Sequence, residues 1–220
     1  MTDFARLMSD YFVKYLAGQK GSGSNTMKTY RDTFVQLLEF MDEKKHISAD
    51  CIEVDSFSYD IINEFLEYLE KEKRVSISTR NNRLAAIRSF FKYTGYHEPK
   101  YLNISTSIRE ISKKKTEGRQ MNYLSVNAME HFLNSFDKTD HKELRCFCIV
   151  LLLYESGARV TELCNVRRYD LHLEKPYTMI LHGKGDKIRS VPLDGLVADV
   201  ISNYIQKYRV DDNDFLFFNT

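Results

Sequence analysis

Helical periodicity carries this chain as far as Tyr93, fades between Gly95 and Asn122, and returns in another form from Tyr123 onward. An interruption of that kind separates two cores, and 220 residues suffice for two modest ones. Pro99 breaks the intervening stretch, and Lys113-Lys114-Lys115 with Arg119 makes it basic. The expected organisation is a helical domain over residues 1–111, a basic linker over 112–122 and a second domain over 123–220.

Four amphipathic helices account for the first unit. Phe4, Leu7, Met8, Tyr11, Phe12, Tyr15 and Leu16 recur at three-and-four spacing, which predicts a helix over Phe4 to Ala17. Gly21-Ser22-Gly23-Ser24 ends it, and Ser24 or Asn25 is placed to cap a second helix with Tyr30, Phe34, Leu37, Leu38 and Met41 on one face. A third is expected from about Tyr59 to Glu72 and a fourth from about Ser78 to Tyr93.

Charge is unevenly spread along the chain. Net charge is +1, yet Lys71 to Arg119 holds thirteen Lys or Arg against four Asp or Glu, which leaves the remainder at −8. Such blocks bind polyanions or form solvated faces. The fourth helix gathers Leu84, Ile87, Phe90 and Phe91 on one side and Asn81, Ala85, Arg88 and Lys92 on another strip. Cations meet phosphates and an amide can reach a base edge, so this strip suits a groove of double-stranded DNA; an ordinary exposed face is the alternative. The candidate DNA-contacting set is Thr26, Lys28 and Arg31 at the start of the second helix, Arg80, Asn81, Arg88 and Lys92 on the fourth, and Lys113, Lys114, Lys115 and Arg119 in the linker.

The second unit is mixed. Ser125 is the expected cap of a helix to about Phe136, and an apolar helix follows from Glu143 to Ser156. The stretch YESGARVTELCNV then sets Arg159 where a small-residue turn feeds a short helix reaching Val166. There its guanidinium and the free N–H groups of the helix can converge on one anion; a salt bridge to Glu162 or Glu155 is the alternative. Thr178 to Leu181 and Ile188 to Val191 are rich in strand formers and flank Gly183-Lys184-Gly185-Asp186, a β-hairpin pattern. Helix returns over Leu196 to Tyr208. The hairpin glycines lack the spacing and helix context of a Walker A loop, so no nucleotide cofactor is expected. Lys184 at a hairpin tip has the reach to protonate a leaving oxygen, the alternative being an exposed lysine in a tight turn.

Taken in order, GARVTELCNVRRYDL and HGKGDKIRSVPL resemble the catalytic domain of the tyrosine recombinases, the family of phage integrases and Xer proteins. SNTMKTYRDTFVQLLEFM and STRNNRLAAIRSFFKYTG are similar to the second and fourth helices of that family's core-binding domain. The resemblance implies a mainly α fold with a small β-hairpin or sheet: a SAM-like core-binding domain followed by an incomplete α/β catalytic domain. It also implies that Arg159 clamps the non-bridging oxygens of a scissile phosphate, that Lys184 is the general acid toward the 5′-oxygen, and that Glu162 supports the site. Neither metal nor cofactor is implied, because cationic side chains supply the electrostatics. The family's His-x-x-Arg motif and tyrosine nucleophile are not found in this sequence, so truncation before them is expected and no nucleophile is assigned. Tyr204 and Tyr208 read as packing or surface residues. When complete, such a protein is expected to cut and rejoin strands through a 3′-phosphotyrosyl link and to act as a homo-oligomer on DNA. A non-catalytic DNA-binding derivative is the alternative.

The remaining features exclude other classes. Met1 to Asp10 has no apolar signal region, and the most hydrophobic stretch, Cys146 to Tyr154, is too short to span a bilayer. No membrane partner is expected. Cys51, Cys146, Cys148 and Cys164 lack zinc-ligand spacing and scaffold density, which points to a reducing compartment. With the recombinase resemblance, the expected setting is the cytoplasm, in association with the nucleoid.

Overall fold

The computed structural model describes residues 1–116, 118, 122–185 and 187–217. They form two compact units, Met1–Arg119 and Gln120–Thr220.

In the first unit α1 (Asp3–Asp10) is capped by Thr2 and runs on into a π-helical stretch, Tyr11–Gln19. A π-helix bonds residues five apart instead of four, which shifts the face that points inward. Tyr11 and Leu16 are both buried. Next come α2 (Ser24–Lys45), α3 (Tyr59–Lys71) and α4 (Ile77–His97). Gly23 rather than Ser24 or Asn25 is the N-cap of α2, and it offers no side-chain hydrogen bond. Ser58 and Ser76 do cap, accepting from the N–H groups of Ile61 and Thr79.

Phe90 of α4 is the hub of the core. Its ring lies 5.2–5.5 Å from those of Phe4, Tyr11, Phe34 and Phe91. Edge-to-face packing of this kind favours one arrangement of the helices, and truncation of such a ring costs about 3–5 kcal/mol.

A further helix, α5 (Leu102–Glu110), lies where periodicity fades in the sequence, and α4 continues past Tyr93 to His97. The two pack closely at Gly95, where a Cβ would stand 2.7 Å from the Cβ of Ser105. Gly95 therefore admits a neighbouring helix instead of ending its own. Ile108 and Ile111 bury against the core from this side.

The second unit contains α6 (Val126–Asn134), capped by Ser125, α7 (His141–Ser156), capped by Asp140, and the one-turn α8 (Val160–Cys164). An antiparallel sheet follows, with β1 (Leu171–His172), β2 (Thr178–His182) and β3 (Ile188–Pro192) in that order, and then α9 (Gly195–Tyr208). The hairpin is where its strand formers predict it; the two-residue β1 is an addition. Met179 and Leu181 turn inward toward Leu152, Leu163, Val197 and Ile201. Phe215 bridges Arg167, and Leu216 donates to the carbonyl of Val166, so this stretch packs within the unit. No helix among the described residues is long and apolar enough to cross a membrane.

Candidate active site and nucleic-acid interface

In the second unit α7 ends on Gly157, whose φ of 58° turns the chain in the left-handed region that favours glycine. Arg159 follows in extended backbone as N-cap of α8. Its N–H donates to Glu162 Oε2 (2.9 Å) and its Nη1 to Glu162 Oε1 (2.7 Å). The ion pair with Glu162 is therefore present. With 74% of the side chain exposed, the guanidinium still has donors facing solvent. Helix α8 is a single turn, and the N–H of its N-cap, Arg159, is already spent on Glu162.

Glu162 is 4% exposed and saturated. Besides the two bonds from Arg159 it accepts Arg189 Nη1 at Oε1 (3.1 Å) and Nη2 at Oε2 (2.7 Å). The Arg189 fork, followed by the backbone and side chain of Arg159, lowers its pKa to about 2. Arg189 belongs to the quoted hairpin motif but received no role from the sequence; only the pairing Leu181↔Arg189 brings it to the inner face of the sheet.

Lys184 lies exposed at the tip between β2 and β3. Gly183 donates to the carbonyl of Lys187 (2.7 Å), and Gly185 takes a φ of 75°. At the base of the tip, His182 Nε2 is 3.1 Å from Oδ1 of buried Asp170. Asp170 Oδ2 in turn accepts from the Arg167 N–H (2.8 Å). Tyr204 is buried, its ring tilted against those of Tyr208 and Phe217, and burial pushes its pKa up to about 12. The Tyr208 hydroxyl donates to the carbonyl of His141. Among the described residues no group of three His, Cys, Asp or Glu is arranged to hold a metal ion.

In the first unit the candidate DNA-contacting residues divide. Lys28, Arg31, Lys92, Lys113 and Lys115 are exposed and Thr26 is half-buried. Arg80, at 5% exposure, is a structural residue: it pairs with Glu70 (3.3 Å) and donates to the carbonyl of Ser112 (3.1 Å). Asn81 donates to the carbonyl of Lys114 (2.8 Å) and accepts from its N–H (3.1 Å). Reading a base edge would require Lys114 to leave. The Lys114 ammonium is itself held by Glu70 at 2.9 Å. Arg88 donates to the carbonyl of Ile111, and burial together with Arg109 and Arg80 lowers its pKa. Arg119 lies outside the described residues.

Beside Arg88 is a concavity of about 450 Å³ where Lys20, Lys92 and Arg109 meet Tyr15 and Tyr30. Lys20 and Arg109 come from segments remote from α4, which is why strip reading alone missed them. Together these cations and rings form a surface suited to phosphate and sugar.

Comparison with known proteins places the chain in a family. Residues 122–220 match the model of the phage integrase family, and residues 10–99 match that of the phage integrase N-terminal SAM-like domain. Tyrosine recombinase XerD of Listeria innocua is 30% identical, the match covering 96% of this chain and 70% of that protein. Tyrosine recombinase XerC of Staphylococcus aureus is 27% identical over 96% of this chain and 68% of its own. Among solved structures, XerH site-specific recombinase bound to palindromic difH substrate matches with a TM-score of 0.67 at 22% identity, covering 96% of this chain and 61% of that one. The Tn1549 transposon integrase in complex with transposon right end DNA matches with a TM-score of 0.68 at 20% identity, covering 100% and 72%. The protein is a member of the phage integrase family of tyrosine recombinases. The chain spans about two thirds of the length of its relatives, 64% for a Sinorhizobium fredii homologue.

Proposed function

We propose that this chain supplies the DNA-binding unit and the phosphate-holding half of the active site of a site-specific DNA recombinase. The observation that carries the reading is the Glu162 clasp, which leaves Arg159 exposed at the start of α8 while gripping the hairpin that bears Lys184. Attack on a phosphodiester builds negative charge on its non-bridging oxygens, and a fixed guanidinium answers that charge better in the transition state than in the ground state. In this reading Arg159 holds those oxygens. Lys184 gives a proton to the departing 5′-oxygen, which otherwise leaves as a high-energy alkoxide.

The strand-cleaving reaction also needs a nucleophile, a tyrosine oxygen that bonds to phosphorus as the 5′-oxygen leaves. Tyr204 is buried with a raised pKa, and the Tyr208 hydroxyl is turned to a carbonyl. The 220 residues alone therefore bind DNA without cutting it, and cleavage belongs to a protein that adds the missing tyrosine. Double-stranded DNA is the partner, several copies assemble on it, and the setting is the cytoplasm at the nucleoid.

The test is a nicked duplex that traps covalent protein–DNA adducts, read on a denaturing gel. The protein encoded by the complete reading frame should yield an adduct that is lost in Arg159→Ala, whereas the 220-residue chain should shift the duplex on a native gel and yield none. Absence of any duplex binding by the chain would overturn the reading.

A further inference from the structure

Arg189 has no part in the chemistry described above, yet its side chain ties β3 to the carboxylate beneath Arg159. Strand alternation explains how it gets there. Ile188 and Ser190 face solvent, whereas Arg189 pairs with Leu181 on the inner face of the hairpin. From that position both Nη atoms fork onto Glu162. The approach is close on the other strand as well: a Cβ on Gly183 would stand 3.2 Å from Glu162 Oε1 and 3.2 Å from the carbonyl of Lys187. Lys184 is the next residue. One carboxylate thus meets Arg159 on one side and the neck of the lysine hairpin on the other, and four hydrogen bonds fill its lone pairs.

We propose that Arg189 is a positioning residue, which holds the β2–β3 hairpin against the start of α8 so that Lys184 and Arg159 address the same phosphate. This inference rests on the recombinase reading above. A planar fork fixes orientation as well as distance, which a lysine's single ammonium does not. Without Arg189, Glu162 keeps its bonds to Arg159 but loses its hold on β3, and the hairpin tip is free to swing. Arg159 would still grip phosphate. Proton delivery by Lys184 is the step that suffers.

That separation gives the test. Two nicked duplexes are compared with the complete-frame protein, one with the natural 5′-bridging oxygen and one with sulfur in its place. A thiolate is a far weaker base than an alkoxide and leaves without a proton, so the sulfur duplex bypasses the general acid. Arg189→Met and Arg189→Lys should each slow adduct formation about 100-fold on the oxygen duplex, the scale of a general-acid contribution, and react close to the unsubstituted rate on the sulfur duplex. Lys184→Ala should behave alike, while Arg159→Ala should be slow on both. Equal impairment of the Arg189 variants on both duplexes would overturn the inference, since a general loss of structure does not distinguish leaving groups. If the unsubstituted protein forms no adduct on either duplex, the recombinase reading fails instead. The positioning claim is then decided on the 220-residue chain by hydrogen exchange: Arg189→Lys should speed exchange at the Gly183 amide and leave α9 unchanged, and unaltered exchange at Gly183 would sink it.

Discussion

Asn81 holds the main chain of Lys114 at both ends, its Nδ2 donating to the carbonyl at 2.8 Å and its Oδ1 accepting from the N–H at 3.1 Å, across 33 residues of sequence. With Arg80 on Ser112 and Arg88 on Ile111, three side chains of α4 lay the start of the basic stretch along the helix. The polar strip of α4 thus spends much of its hydrogen-bonding capacity on this chain's own backbone.

Asn81→Ala should therefore release the segment. Each amide bond contributes about 0.5–1.5 kcal/mol, and the main-chain groups freed here can turn to water, so the loss of stability should be small. Tryptic cleavage after Lys113, Lys114 and Lys115 should accelerate several-fold while the helical core stays protected. Unchanged cleavage would mean that Arg80 and Arg88 suffice to hold it.

Salt dependence should separate the three lysines. Lys113 and Lys115 are exposed, whereas the Lys114 ammonium is occupied by Glu70. Each phosphate contact removed should flatten the slope of log K against log salt by about 0.9. Fluorescence anisotropy on a duplex should show a drop of about 1.8 for Lys113→Gln with Lys115→Gln, and a smaller change for Lys114→Gln. Three equal effects would mean that Glu70 releases Lys114 on binding.

Much of this was legible in the sequence, and the omissions share a cause. Periodicity located α2, α3 and α4 because a helix face is a local pattern, and the turn before Arg159 and the strands beside Lys184 are local too. The missed features are contacts between distant segments. Arg189 meets Glu162 across 27 residues, and α5 shows itself only when Ile108 and Ile111 are seen against α4, since its own Leu102 is exposed. Gly95, a helix breaker by composition, is a packing residue for the same reason: nothing near it in sequence announces Ser105. The charged strip of α4 misled in the opposite sense, because a cation facing away from the apolar side can still be paired internally, as Arg80 is with Glu70.

Acid should loosen the hairpin. The Glu162 carboxylate has its pKa lowered from 4.5 to about 2 in the folded chain, so it contributes stability that is fully present above 4.5 and is lost as pH falls toward 2. Denaturation followed by circular dichroism between pH 5 and pH 2 should show a fall in stability that is shallower for Glu162→Gln. Asp137, Asp140, Asp3 and Glu67 also have lowered pKa values and leave a residual slope in the variant. Parallel curves for the two proteins would show that the clasp adds no pH-dependent stability.

Tyr204 separates packing from chemistry. Its ring lies at the centre of the second core, against Tyr208 at 4.6 Å and Phe217 at 5.4 Å. Truncation to alanine should cost about 3–5 kcal/mol, as for other large buried rings, and should unfold most of the second unit while the helices of the first remain. Tyr204→Phe keeps the ring and should leave both the fold and duplex binding intact. Tested in the complete-frame protein, Tyr204→Phe should still form a covalent adduct on a nicked duplex, because the proposed function assigns the attacking oxygen to another residue. Loss of the adduct in that variant alone, with melting unchanged, would make Tyr204 the nucleophile and require its buried hydroxyl to emerge on DNA.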